Sequence, residues 1–134
     1  MSSSIEPEKL SKEIMNYLEN YVEDIENDVK GETDKLAKEA VKELKQTSPR
    51  RKGKTRKNPY WKGWTKRKNT KSKRRYVVDI YNKTNYQLTH LLEFGHATRN
   101  GGYTTPQPHI KKVEEKYNEL YEKDIKDIIT RRSK

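Results

Sequence analysis

The chain has 134 residues, a length that suits one domain. Only 29% of the residues are hydrophobic and 38% are charged, so a small core is expected, with stabilisation from neighbours in an assembly. The absence of cysteine excludes disulfides, thiolate metal sites and thiol nucleophiles, and with no apolar run near the roughly 18 residues of a membrane span and no signal-peptide core after Met1, a soluble protein made in the cytoplasm is expected.

The net charge of +11 is unevenly spread. Residues 1–46 carry 7 Lys/Arg against 12 Asp/Glu, residues 47–75 carry 14 Lys/Arg and no acid, and residues 76–134 carry 10 against 8. One segment therefore holds the whole excess. It calls for a polyanionic partner or plain solvent.

Ser4 can cap a first helix and Pro7 fits its first turn. Leu10, Ile14, Tyr17, Leu18, Tyr21, Val22, Ile25 and Val29 recur at spacings of three and four, and the stripe resumes at Leu36, Ala37, Ala40, Val41 and Leu44. Gly31 interrupts it. Either one helix tolerates that glycine at a cost of about 1 kcal/mol, or Thr33 caps a second helix; one long helix from about Pro7 to Gln46, with or without a kink, is favoured. Its length would be on the order of 60 Å, more than a small domain needs, and the surplus would suit contacts with other subunits.

Thr47-Ser48-Pro49 ends the helix and the basic run follows. Arg50 to Lys57 can bury nothing and reads as a mobile loop. Tyr60, Trp61 and Trp64 suggest an edge strand with its large side chains on the core. Lys66 to Arg75 reads as a long hairpin connection, and Tyr76 to Tyr81 is the clearest strand, with Val78 and Ile80 on one side. Two or three strands with no helix between them make an antiparallel hairpin. Leu88 to Phe94 forms two helical turns that Gly95 can close in a left-handed conformation. Ala97 to Thr105 is a loop, Pro106 and Pro108 hold the return extended, and a last helix carries Ile110, Val113, Tyr117, Leu120, Tyr121, Ile125, Ile128 and Ile129 on one face. The expected fold class is α+β: long N-terminal helix, small antiparallel β-sheet, short helix, C-terminal helix.

The candidate chemistry is sparse. His90, Glu93 and His96 could gather around a metal, with His90 and Glu93 on one helix face, but the spacing is no established zinc motif. The plainer reading makes Glu93 a partly buried carboxylate satisfied by backbone amides or a nearby base, and gives His90 and His96 loop hydrogen bonds. No serine or threonine has a glycine-elbow context, and Gly53, Gly63, Gly95, Gly101 and Gly102 match no phosphate-binding loop. No cofactor and no catalytic residue are expected. The basic segment, interleaved with Tyr60, Trp61 and Trp64, has the composition of a binder of nucleic-acid backbone, although the tryptophans suit a core better than a stacking platform.

From Val78 onward, VVDIYNKTNYQLTHLLEFGHATRNGGYTTPQPHIKKVEE resembles the head–tail joining, or tail-completion, proteins of long-tailed bacteriophages. The matching residues are Asn82, Tyr86, Leu91, Leu92, Glu93, Phe94, Gly95, His96, Pro108, His109 and Ile110, and Trp64 fits a looser upstream segment. The resemblance implies a structural virion protein of the neck, a late protein rather than an enzyme, assembled in the host cytoplasm. It implies a ring of identical subunits, hexameric in the virion, between the head connector or stopper and the tail tube or tail terminator, around a channel for genomic DNA. It implies no membrane partner. Contacts with the DNA path or an acidic partner surface would fall to Arg50, Arg51, Lys52, Lys54, Arg56, Lys57, Lys66, Arg67, Lys68 and Arg99. Leu88, Leu91, Leu92 and Phe94 would supply the packing of the corner between hairpin and last helix. A non-specific nucleic-acid-binding protein using residues 50–75 is the alternative.

Overall fold

The structure, a computed structural model, describes residues 6–50, 58–71 and 75–133. The expectations for Ser4 as a cap, and for the Arg51 to Lys57 part of the basic loop, lie outside them. Helix α1 spans Pro7–Thr47, strands β1 and β2 span Trp64–Asn69 and Val77–Asn82, α2 spans Tyr86–Phe94 and α3 spans Ile110–Ser133. The α+β class read from periodicity is the one observed.

Helix α1 runs unbroken through Gly31, where a Cβ would meet nothing within 4 Å. Pro7 starts it, and it stops where Pro49 forbids a helical Ser48. Ser48 turns back on its own helix: its N–H donates to Leu44 O at 2.9 Å and its hydroxyl to the same carbonyl. Helix α3 lies antiparallel along α1. Lys116 Nζ meets Glu43 at 3.0 Å, Thr33 Oγ1 donates to the Tyr121 hydroxyl at 3.0 Å, and Arg132 reaches Asp28 at 2.9 Å and Asp24 at 3.7 Å. The antiparallel hairpin covers another side of α1, in a register that sets Trp64 against Asn82, Lys66 against Ile80 and Lys68 against Val78.

Two segments read differently from the sequence. Tyr60–Gly63 is one turn of 3-10 helix, so the aromatic run enters the strand only at Trp64. Lys66 to Asn69, expected as connection, is strand: apolar alternation cannot reveal it, because its outward positions are all cationic or polar. The core joins Ala40, Leu44, Tyr60, Trp64 and Val113, with Ile80, Leu88, Leu92, Ile110 and Tyr117 packed against it. Leu36, Ala37 and Ile128 are buried further along. Leu88 and Leu92 supply the packing of the corner as expected; Leu91 and Phe94 do not. Phe94 is 59% exposed and Leu91 sits at the solvent boundary, because a nine-residue helix lying on one surface buries only one stripe.

Truncating Trp64 to alanine should cost about 3–5 kcal/mol of unfolding free energy, and Phe94→Ala less than about 0.5 kcal/mol, both read by urea titration. Leu91→Asp should leave the domain folded, whereas Leu92→Asp should not.

Candidate functional site

The segment that carries the family-like motif folds into a buried polar corner. Helix α3 begins with amide N–H groups that have no partner inside the helix. Glu93, at the end of α2, supplies one from outside. Its Oε1 accepts from His109 N at 2.7 Å and from Ile110 N at 2.9 Å, and its Oε2 accepts from Lys111 N at 3.0 Å. The carboxylate thus caps a helix to which it does not belong and places its charge at the positive end of the helix dipole. Burial pushes the Glu93 carboxyl up, but the three amides and the neighbouring His109 outweigh burial and hold it below the usual carboxylate range.

His109 is the other half of the corner. Its ring is buried, and its Nδ1 lies 2.7 Å from Gln107 O, which can only accept. With the proton on Nδ1, Nε2 accepts from the Tyr60 hydroxyl at 2.7 Å. Burial, with Glu93 nearby, drives the Tyr60 phenol far above its ordinary value and keeps it a donor. Tyr60, Trp64 and His109 meet edge to face, and Trp64 Nε1 donates to Ser48 Oγ at 2.7 Å. A chain of polar contacts therefore runs from the end of α1 through the hairpin to the start of α3. Asn82 does the same work for the loop after β2. Its Nδ2 donates to Tyr60 O at 2.8 Å and its Oδ1 accepts from Asn85 N at 2.9 Å and Thr84 N at 3.2 Å.

Gly95 leaves α2 at φ 75 and ψ 172, an extended positive-φ conformation open to glycine alone, not the left-handed helical cap expected. A Cβ there would stand 2.5 Å from Thr104 O. The loop it opens is tied back by Thr104 N donating to His96 O at 2.8 Å and Gln107 N to Leu92 O at 2.8 Å.

The metal reading of His90, Glu93 and His96 is not assembled. Glu93 is turned to the α3 amides, His90 lies against Phe94 with ring centroids 5.0 Å apart, and His96 contacts Thr104. Among the described residues no group of three His, Asp or Glu side chains is placed to hold a metal ion. A groove of about 250 Å³ opens between α1, the hairpin and α3, lined by apolar residues such as Leu44, Trp64, Ile80 and Val113 together with Glu114, Tyr117 and Asn118.

The residues expected to meet partners are on the outside. Lys66, Arg67 and Lys68 are exposed on β1, with Arg67 over the Tyr81 ring at 4.8 Å and Lys68 over Tyr76 at 5.2 Å. Arg50 stacks on Trp61 at 4.0 Å, and Arg99 is exposed in the loop after α2. Arg51, Lys52, Lys54, Arg56 and Lys57 lie outside the described residues. Of the motif residues, Trp64, Asn82, Glu93 and Gly95 are buried and Leu92 half-buried, while Tyr86, Phe94, His96 and Pro108 are exposed. Sequence reasoning named His109 as a motif residue but missed its bond to Tyr60, and it missed Ser48 as a member of the corner. The available signals were a histidine between Pro108 and the start of a helix, and a serine at a helix end opposite an aromatic run.

Beyond the corner, α1 projects. Arg132, near the end of α3, reaches α1 no further than Asp24. Before that point Leu10, Ile14, Tyr17, Leu18 and Val22 stay 43 to 70% exposed.

The family model described as "Bacteriophage HK97-gp10, putative tail-component" (HK97-gp10-like) matches residues 12–95. The chain belongs to this family of bacteriophage tail components. The match takes in most of α1, the hairpin and the whole of α2. Comparison with curated proteins and with solved structures finds no match. Membership fits a virion protein, and the buried motif residues Trp64, Asn82 and Glu93 build its corner.

Glu93→Gln removes the charge and one of the acceptor oxygens, and should cost about 1–3 kcal/mol. A carboxyl held low in the folded state contributes stability above its unfolded value, near 4.5, and loses it as pH falls through the lower folded value. Stability of the wild type measured by denaturant titration from pH 7 to pH 3 should therefore fall more steeply below about 4.5 than that of Glu93→Gln. Glu32, raised by its hydrogen bond with Asp124, acts in the opposite sense and equally in both proteins.

Proposed function

We propose that this tail component is a structural neck protein that completes the tail end and joins it to the head, without catalytic activity. The observation that carries this reading is family membership combined with a helix that leaves its own fold. A tail component acts by contact, and the first turns of α1 keep Leu10, Ile14, Tyr17, Leu18 and Val22 largely exposed among the described residues. A protein with few apolar residues gains by burying that stripe in an assembly.

In this reading identical subunits close into a ring, hexameric in the virion, through head-to-tail contacts. One rim meets the head connector or stopper, the other the tail tube or terminator, and genomic DNA passes through the centre. The cationic positions of the hairpin, Lys66, Arg67 and Lys68, and Arg99 in the loop, are available to phosphates or to acidic protein surfaces. The buried corner serves as the joint that fixes the angle between hairpin and α3. Its polar groups are paired with one another and with backbone amides, which supports a structural role.

A second reading, non-specific binding of nucleic acid, is favoured by the same exposed cations. Purified protein added to lysates lacking it should restore infectious particles, and negative-stain imaging should find it on the neck end of tails or heads. Lys66→Gln and Lys68→Gln together should reduce DNA retention and spare joining. Loss of joining in step with DNA binding, with no protein at the neck, would favour the second reading.

A further inference from the structure

The projecting half of α1 has both an unburied stripe and an unusual charge. Residues 6–23, before the first contact of α1 with Arg132, carry 5 Asp/Glu and 2 Lys/Arg. The hairpin side is mostly cationic: residues 58–71 hold five Lys/Arg and no acid, and the paired strand adds one acid, Asp79, opposite Arg67. Lys62 and Arg67 are exposed there beside aromatic rings, Lys62 over Trp61 at 5.1 Å and Arg67 over Tyr81 at 4.8 Å. α1 contacts the hairpin through its later turns, as where Asp34 accepts from the Tyr76 hydroxyl at 2.6 Å.

We propose that the projecting half of α1 docks on the basic hairpin of a second copy of this chain. Leu10, Ile14, Leu18 and Val22 then lie against the aromatic–cation surface around Trp61 and Tyr81, and Glu19 and Glu23, one turn apart beside that stripe, face Lys62 and Arg67. Charge complementarity decides the partner surface. Two copies of α1 packed stripe to stripe would set one acidic face against another, a like-charge contact that costs affinity. An acidic helix on a basic hairpin instead joins two different surfaces, so each subunit keeps one free helix and one free hairpin. Such a contact propagates head to tail and closes as a ring when the rotation allows. The inference rests on the reading that a second copy is this chain's neighbour, and it names the two surfaces.

The test uses the full chain in sedimentation velocity, with circular dichroism to establish that each variant keeps its helices. Wild type should associate with rising concentration, less so at high salt. Leu18→Asp with Ile14→Asp, and separately Lys62→Glu with Arg67→Glu, should each weaken association by at least about tenfold. An equimolar mixture of these two variants should form dimers and nothing larger, because one intact helix and one intact hairpin remain between them. Glu19→Lys with Glu23→Lys should also weaken association, and should recover it when mixed with Lys62→Glu/Arg67→Glu. The proposal is overturned if wild type stays monomeric at all concentrations, if the hairpin reversal leaves association unchanged, or if the mixtures stay monomeric. It is overturned equally if only variants of the exposed α2 residues Tyr86 and Phe94 abolish association. Joining in the lysate assay separates the two levels. Association lost with joining intact sinks the interface, and joining absent with association intact sinks the neck role.

Discussion

The fold depends on one carboxylate meeting three amides. Glu93 closes α2 and opens α3, so a single side chain fixes two helices that share no turn of backbone. Its charge is tolerable in a buried position because each oxygen is occupied and the helix dipole favours it. The rest of the corner follows in order. With α3 started at Ile110, His109 must sit under Tyr60, Tyr60 over Trp64, and Trp64 against Ser48. A chain with so few apolar residues thereby obtains specificity from a polar network where a larger domain would rely on hydrocarbon.

That network gives a structural account of a motif whose composition resembles an active site. Histidines, a glutamate and glycines gathered in one stretch have the composition of a catalytic loop. Glu93 and His109 are engaged by backbone groups and by Tyr60 in the same corner, and His90 and His96 are exposed beside Phe94 and Thr104. Glycine at 95 is required by a backbone conformation and by the close approach of Thr104.

Much of this was legible in the sequence where periodicity or a breaker speaks. The 41 residues of α1 follow from an apolar stripe begun at Pro7 and stopped before Pro49, and α3 from its own stripe. Other parts were hidden for physical reasons. Lys66 to Asn69 form a strand because β2 offers hydrogen bonds, and hydrogen-bond partners leave no trace in hydropathy. Leu91 and Phe94 look like core, yet the short α2 has only one covered side. The partnership of Glu93 with residues 109–111 joins positions that no local spacing connects. His109 could be named from sequence, but its hydroxyl partner at Tyr60, 49 positions away, could not.

The chain has two tryptophans, and they occupy opposite worlds. Trp64 is 4% exposed with its indole N–H bonded to Ser48, while Trp61 is half-buried and lies between the cations of Arg50 and Lys62. An indole in a dry, fixed setting emits at shorter wavelength than one near water and mobile charge, so each ring reports on a different event. Replacing one with phenylalanine would leave an optical probe of the interior; replacing the other would leave a probe of the surface beside the hairpin. The molecule thus carries its own pair of dyes, one for folding and one for whatever comes to rest against its basic side.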